Sequence, residues 1–423
     1  MENDLILNKF FEMPRWEYAI HKGFNKGIRK DQLLMLTKPD TRAVLYKLIK
    51  NGEYKISPPH IALIPKDSPG EFRTVYVNEP FDRIVLSIAN DLLFELMPEM
   101  IHPRCKSYQK GIGCGNVVKQ ISKEICSYKT DGIIGWKADL SKYFDSVPIR
   151  YIDDVFDRIE LKYGKSKLID LIRDYYHSDI YFDENVDLKS SFQSLKQGCA
   201  VAAFLADAML YDIDKKLSKL KGVYTRYSDD ILFVGEDYQL AMGILKEELS
   251  AMEMKLNPKK VEYITHSNRF CFLGFSIKGE DISLSAKRIK TFADRIKECT
   301  IDKKDRTLSS ALSKVNNFLY KGNGEHSWAT QVLPIVTNTK DLNTLNCFVM
   351  DCLRAVQTKR FKIGGIGYSQ VMKEGCILRG KGKNVTSNKS KTSKNIEGYN
   401  SILCMRNSML FCRELYNTMV QSI

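Results

Sequence analysis

The segment GVYTRYSDDILFVGE, residues 222–236, leaves the chain few choices. Two apolar runs rich in β-branched and aromatic residues flank a short polar stretch, the pattern of strand, tight turn, strand. Asp229 and Asp230 fall at the turn of that hairpin. A second strand pattern, GIIGWKADL, ends on Asp139. The apolar run CAVAAFLADAML follows Gln197-Gly198 and reads as a buried helix. Strands mixed with many helical segments make this an α+β protein.

At 423 residues the chain exceeds a single core, so two to four subdomains are expected. Hydrophobic residues at 43% and charged residues at 27% exclude wholesale disorder, collagen and a pure coiled coil. Lys and Arg number 65 against 51 acids, a net charge of +14. That excess favours a polyanionic partner, nucleic acid before an acidic membrane. The 11 cysteines form no C-x-x-C pair and the 6 histidines stand apart. An odd, unpaired set points to a reducing compartment and away from disulfide or zinc frameworks. The start MENDLILNKF carries acids where a secretion signal needs bases. Cys199 to Tyr211, the most apolar stretch, is interrupted by Asp207 and too short to span a bilayer. A cytoplasmic protein without membrane contact is the expectation.

Residues 1–55 read as helices, one of them capped by Asp40, with Val44, Leu45, Leu48 and Ile49 on one face and a stop at Asn51-Gly52. IALIPKDSPGEFRTVYV reads as a hairpin around a Pro/Gly turn, and a helix follows from Asp82. LNPKKVEYI and RFCFLGFSI read as short strands. From Ser285 onward the pattern turns to basic helices. SAKRIKTFADRIKECT sets Ile289, Phe292, Ala293 and Ile296 on one face, with Lys287, Arg288, Arg295 and Lys297 largely outside it. Residues 379–396, basic and poor in apolar side chains, read as a mobile loop.

Two aspartates at a hairpin turn and a third at a neighbouring strand end can converge on paired Mg²⁺ ions. Mg²⁺ is hard, prefers oxygen ligands and keeps waters and substrate phosphates, which suits carboxylates. A D-D pair alone is more often a solvated turn, and the chain carries its own control. Tyr151-Ile152-Asp153-Asp154 spells the same pattern as Tyr227 to Asp230, but it opens a run with Ile152, Val155, Phe156 and Ile159 at helical spacing. Those acids read as a helix surface.

Taken in order, Asp139-Leu140, Gln197-Gly198, Tyr227-Ser228-Asp229-Asp230, Asn257 with Lys260, and Phe272-Leu273-Gly274-Phe275 resemble the palm motifs of reverse transcriptases. PKDSPGEFR with DRIV is similar to the fingers motifs of bacterial members, including group II intron and retron enzymes. The resemblance runs over residues 50–280. It implies a right-hand polymerase: a helical N-terminal segment (1–55), fingers (56–130), a palm with a small antiparallel sheet (131–280), and a helical thumb and C-terminal extension (281–423).

The resemblance also implies roles. Asp139 and Asp229 would be the main ligands of two Mg²⁺ ions, with Mn²⁺ a possible substitute, Asp230 beside them and the Leu140 backbone near the triphosphate. Lys66 and Arg73 would clamp that triphosphate; the bland alternative is a solvated hairpin. Gln197 and Gly198 would underlie the template base and incoming nucleotide. Lys260 would favour pyrophosphate departure, though Lys259 competes for the register. Phe272 to Phe275 would be the primer grip. Phe144, five residues after Asp139, would exclude a ribose 2′-hydroxyl and so select dNTPs; otherwise it is core.

The implied activity is RNA-directed DNA synthesis, with an RNA template, dNTPs and a cDNA product. No acidic quartet for ribonuclease H and no Cys/His cluster for an HNH nuclease follows the palm motifs. A compact core with a helical, basic extension resembles the defence-associated reverse transcriptases, nearest their type 2 members. That implies antiphage defence with a nearby noncoding RNA as template. Retron-type synthesis, template-independent or protein-primed polymerisation of the abortive-infection kind, and an idle RNA-binding scaffold stay open alternatives.

Overall fold

The computed structural model describes residues 4–23, 28–65, 70–109, 111–128, 132–303, 305–322, 327–358 and 398–422. Lys66 and the basic 379–396 segment lie outside them. The chain forms two compact units interleaved in sequence, residues 1–110 with 136–261, and 111–135 with 262–423. Among the described residues no helix is long and apolar enough to cross a membrane.

The first unit opens with helices Leu5–Phe10, Met13–Gly23, Lys30–Thr37 and Pro39–Lys50. The last of these corrects the Asp40 cap. Lys38 is the N-cap, without a side-chain bond, and Pro39 occupies the first helical position. Proline suits that place because its φ is already helical and its missing N–H would have no partner there. Asp40 stands inside the first turn, and Val44 is exposed while Leu45 and Ile49 are buried. The helix expected from Asp82 likewise starts earlier, as Pro80–Leu96. Asp82 itself is buried and accepts bonds from the Tyr54 hydroxyl and the Ser57 N–H.

The predicted hairpin forms from β1 (His60–Pro65) and β2 (Phe72–Val77), antiparallel with His60 opposite Val77. β3 (Ile133–Asp139) enters the first unit at residue 136. A second small hairpin, β4 (Ile180–Phe182) and β5 (Leu188–Ser190), joins β1 through a parallel pairing of His60 with Phe182. β6 (Val223–Tyr227) and β7 (Asp230–Val234) are antiparallel, and β7 neighbours β3. Helices Ile149–Tyr163, Lys167–His177, Ala202–Ala208 and Tyr238–Ala251 supply core residues around them. Trp136 stacks on Phe233 and donates from Nε1 to the Tyr238 carbonyl at 2.7 Å. The Tyr151–Asp154 look-alike lies on the helix Ile149–Tyr163 as expected. Asp153 there pairs with Arg173 and His177.

The second unit contains the helix Cys114–Ile125, the short strand β8 (Glu262–Thr265), and an antiparallel sheet of β9 (Phe270–Phe272), β10 (Phe275–Lys278) and β11 (Asp281–Leu284). Helices Ala286–Cys299, Leu308–Asn316, Trp328–Val332, Thr339–Thr358, Ile402–Phe411 and Arg413–Gln421 complete it. The helix Ala286–Cys299 buries Ile289, Phe292, Ala293 and Ile296, the predicted face. Two of its bases depart from the expected solvent side. Arg288 is half-buried, its guanidinium 4.4 Å from the Phe275 ring centre, and the Lys297 side chain is 12% exposed. Long basic side chains bury their stems and stack on aromatic faces where these adjoin.

Candidate active site

Tyr227 pairs with Asp230 across β6 and β7, so the turn consists of Ser228 and Asp229 alone. Two-residue turns match strand twist when a central residue takes positive φ, and Ser228 does so at +58°. Asp229 is therefore the tip, and Asp230 is the first residue of β7, a refinement of the expected pair at the turn. β3 delivers Asp139 alongside. The Leu140 N–H donates to the Asp229 carbonyl at 3.3 Å, and the Asn257 N–H donates to the Asp139 carbonyl at 2.8 Å.

Asn257 to Lys260, expected as strand, instead forms a 3₁₀ turn over Pro258–Lys260. Proline cannot donate to a ladder, and the Asn257 side chain accepts the Lys259 N–H at 3.2 Å. This turn decides the lysine register. Lys260 Nζ lies 2.7 Å from Asp139 Oδ2. Burial opposes its charge, but the bond to Asp139 and the fields of Asp139, Asp229 and Asp230 outweigh that and hold the ammonium above its usual range.

Lys260 relieves the repulsion among the acids only in part. Burial first, then the charges of Asp229 and Asp139, push the Asp230 carboxyl up to about 6. Burial and Asp139 raise Asp229 as well, with Lys260 and Arg73 pulling the other way. Among the described residues no three His, Cys, Asp or Glu side chains close into a finished metal cage. The donor set nonetheless fits a hard divalent cation: acid oxygens only, with burial and then neighbouring charge disfavouring ionisation of Asp229 and Asp230, and one ammonium paired to Asp139.

The loop 193–199 is pinned at nearly every residue. The Leu195 N–H donates to the Phe144 carbonyl at 3.1 Å, and the Tyr76 N–H of β2 donates to the Gln197 carbonyl at 2.7 Å. Ser194, Lys196 and Gly198 all take positive φ. At Gly198, a Cβ would lie 2.6 Å from Val75 Cγ1 and 2.7 Å from the Tyr76 carbonyl oxygen, so the close approach its bare backbone permits is to β2. Phe144 is half-buried in the short helix Tyr143–Ser146, its ring 5.5 Å from that of Tyr143. Arg73 is exposed on β2, opposite Ile64. The first unit thus assembles Asp139, Leu140, Asp229, Asp230 and Lys260, and joins Phe144, Gln197 and Gly198 through one loop. Phe272 to Phe275 belong to the second unit. There Phe272 pairs with Phe275 across a turn of Leu273 and Gly274, both at positive φ.

Residues outside the expected set stand behind this site. Arg226, Asp207, Asp214 and Ser107 are buried and bonded to one another under the β6–β7 turn. The readable clue was a charge inside an apolar run, Asp207 in the helix and Arg226 in the strand, because an ion placed there needs a partner. Lys196 is also buried, donating to the Ser178 carbonyl at 2.6 Å with its ammonium 4.6 Å from the Tyr175 ring centre.

A protein-family model described as "Reverse transcriptase (RNA-dependent DNA polymerase)" matches residues 64–277, half of the chain. The chain belongs to the reverse transcriptase family. Its fold is that family's right-hand polymerase, α+β with small antiparallel sheets. No curated protein matches this reverse transcriptase in sequence. Similar solved structures include apo telomerase from Candida tropicalis, at 12% identity and TM-score 0.44, covering 72% of this chain and 59% of that one. Telomerase from Candida albicans, solved with a fragment of telomeric RNA, gives 12%, 0.39, 74% and 61%. The chain spans less than two thirds of the length of these telomerase chains.

Burial pushes the Lys196 ammonium of this reverse transcriptase down to about 8, from the 10.5 usual for a lysine. Between those values the unfolded chain binds the extra proton, so the stabilising balance improves as pH rises through that window. Wild-type stability relative to Lys196→Met is expected to climb between about pH 8 and 10.5, by at most about 3 kcal/mol. Urea denaturation at several pH values checks this, and a flat difference would remove the assignment.

Proposed function

We propose that this protein is an RNA-directed DNA polymerase copying a dedicated noncoding RNA into cDNA, in bacterial antiphage defence. The carrying observation is the trio Asp139, Asp229 and Asp230 on one strand end and one hairpin within a reverse transcriptase domain. Burial first, and then the charge of neighbouring acids, raises the two hairpin acids. Asp139 and Asp229 would hold two Mg²⁺ ions, or Mn²⁺ in their place, with Asp230 adjoining and the Leu140 backbone close to the triphosphate. Such ions lower the pKa of a primer 3′-hydroxyl and neutralise a departing pyrophosphate.

In this reading Arg73 and Lys66 orient the triphosphate, and Lys260 exchanges its bond to Asp139 for the departing phosphates. Gln197 and Gly198 underlie the nascent base pair, Phe144 blocks a 2′-hydroxyl, and Phe272 to Phe275 seat the primer. Residues 56–130 act as fingers, 131–280 as palm and 281–423 as thumb and extension. The defence role, and placement near the type 2 members, rest on the compact core with its basic C-terminal extension. A cytoplasmic location rests on the unpaired cysteines.

The test is incorporation of labelled dNTPs or NTPs by protein purified with its RNA retained, with the products sequenced. RNase-sensitive dNTP incorporation is expected, and the sequence names the template. Phe144→Ala is expected to admit ribonucleotides at least about tenfold better, since an apolar ring offers a 2′-hydroxyl neither room nor a partner. Incorporation that survives RNA removal would favour the template-independent alternative, and unchanged discrimination would end the gate assignment.

A further inference from the structure

Asp229 owes its place at the tip to the residue before it. Ser228 holds φ +58°, a conformation that a side chain disfavours, and both of its backbone polar groups are gripped from the interior. Its N–H donates to Ser107 Oγ at 2.8 Å. Its carbonyl accepts from Arg226 Nη1 at 3.2 Å. The Ser107 hydroxyl has one proton, which goes to Asp207 Oδ1 at 2.6 Å, and that leaves its lone pairs to accept from Ser228 and from the Cys105 thiol at 3.3 Å. Arg226 is itself fixed: Nε reaches Asp214 Oδ1 at 2.7 Å, and Nη2 reaches Asp214 Oδ2 at 2.6 Å and the Asp207 carbonyl at 2.9 Å.

Ser107 arrives on a segment laid beside β6. The Lys106 N–H donates to the Arg226 carbonyl at 2.8 Å, and the Arg226 N–H donates to the Arg104 carbonyl at 3.0 Å. Ser107, Asp207, Asp214 and Arg226 are all fully buried, so water cannot take over a lost bond at no cost.

We propose that Ser107, oriented by Asp207, is a positioning residue of the polymerase site, one jaw of a clamp whose other jaw is Arg226. The clamp keeps Ser228 left-handed and so sets the Asp229 carboxylate against Asp139. This rests on the polymerase reading of Asp229. Catalytic groups displaced by about an ångström lose rate steeply, so a modest loosening of the turn should register in turnover before it registers in folding.

The experiment compares wild type, Ser107→Ala, Ser107→Cys and the double variant Ser107→Ala/Ser228→Gly. Cysteine fills the serine's volume with a poor acceptor and separates the lost bond from a cavity. Expected are a fall in kcat of at least about tenfold in both single variants, a dNTP KM within about threefold, and a melting temperature lowered by only a few degrees, with the protein still folded at the assay temperature. Amide hydrogen exchange over residues 226–230 should quicken at least about tenfold. Glycine at 228 adopts positive φ freely, so the double variant should recover most of the lost kcat. Unchanged kcat, unchanged exchange, or no recovery in the double variant would each overturn the proposal. A wild-type protein that incorporates no dNTP would instead sink the polymerase reading, while exchange across the turn still decides whether Ser107 holds it.

Discussion

Asp229→Ala is expected to lower dNTP incorporation by at least about 10³-fold, with the protein still folded. In the proposed reading Asp229 would hold the cation that activates the nucleophile, and losing such a ligand would remove several kcal/mol of transition-state stabilisation, each 1.4 kcal/mol being about tenfold in rate. Asp139→Ala should match it, because the two residues adjoin where the Leu140 N–H bonds the Asp229 carbonyl, and the Asp139 charge reaches the Asp229 carboxyl. The internal control is Asp154→Ala. That acid completes the same four-residue pattern but lies exposed on the helix Ile149–Tyr163, so its loss should leave the rate within about twofold. Single-nucleotide incorporation under saturating primer–template gives the ratio. Wild-type rates in Asp229→Ala would end the assignment of this hairpin as the reaction centre.

Arg226→Leu is expected to destabilise the protein by about 3–5 kcal/mol, since removing one member of a buried ion pair strands the other. Asp214 would keep the Tyr224 hydroxyl at 2.6 Å but lose both guanidinium bonds. The Ser228 and Asp207 carbonyls would lose a donor as well. Replacing both partners removes the stranded charge, so Arg226→Leu/Asp214→Leu should cost less than the sum of the single variants by at least about 2 kcal/mol. Urea denaturation of the four proteins closes the cycle. Additive losses would show that the fork carries no coupling, and a loss below about 1 kcal/mol in Arg226→Leu would show that it carries little stability.

Much of the site was legible because its chemistry sits at places where local rules are strict. Two apolar runs around a short polar stretch can only become a hairpin with Asp229 at its turn, and a strand ending on Asp139 needs only the alternation of GIIGWKADL. The Tyr151 look-alike was separable from Tyr227 by periodicity alone. Boundaries were less legible: Pro39 displaced Asp40 as the helix start, and Pro258 turned an expected strand into the 3₁₀ turn that carries Lys260. In both cases a single proline outweighed the surrounding pattern.

What the order of residues established was element type and the places of the candidate acids at a strand end and a hairpin turn, because both follow from neighbours a few positions apart. Partnership over long separations belonged to the tertiary structure. Ser107 meets Ser228 across 121 residues, Lys260 meets Asp139 across 121, and the Tyr76 amide meets Gln197 through a loop with three left-handed residues. A buried arginine in a strand announces that it must have acceptors, since an unpaired interior charge is prohibitive. Which acceptors it finds depends on how distant segments pack, and only the folded chain brings Asp207, Asp214 and the Ser228 carbonyl to the same guanidinium.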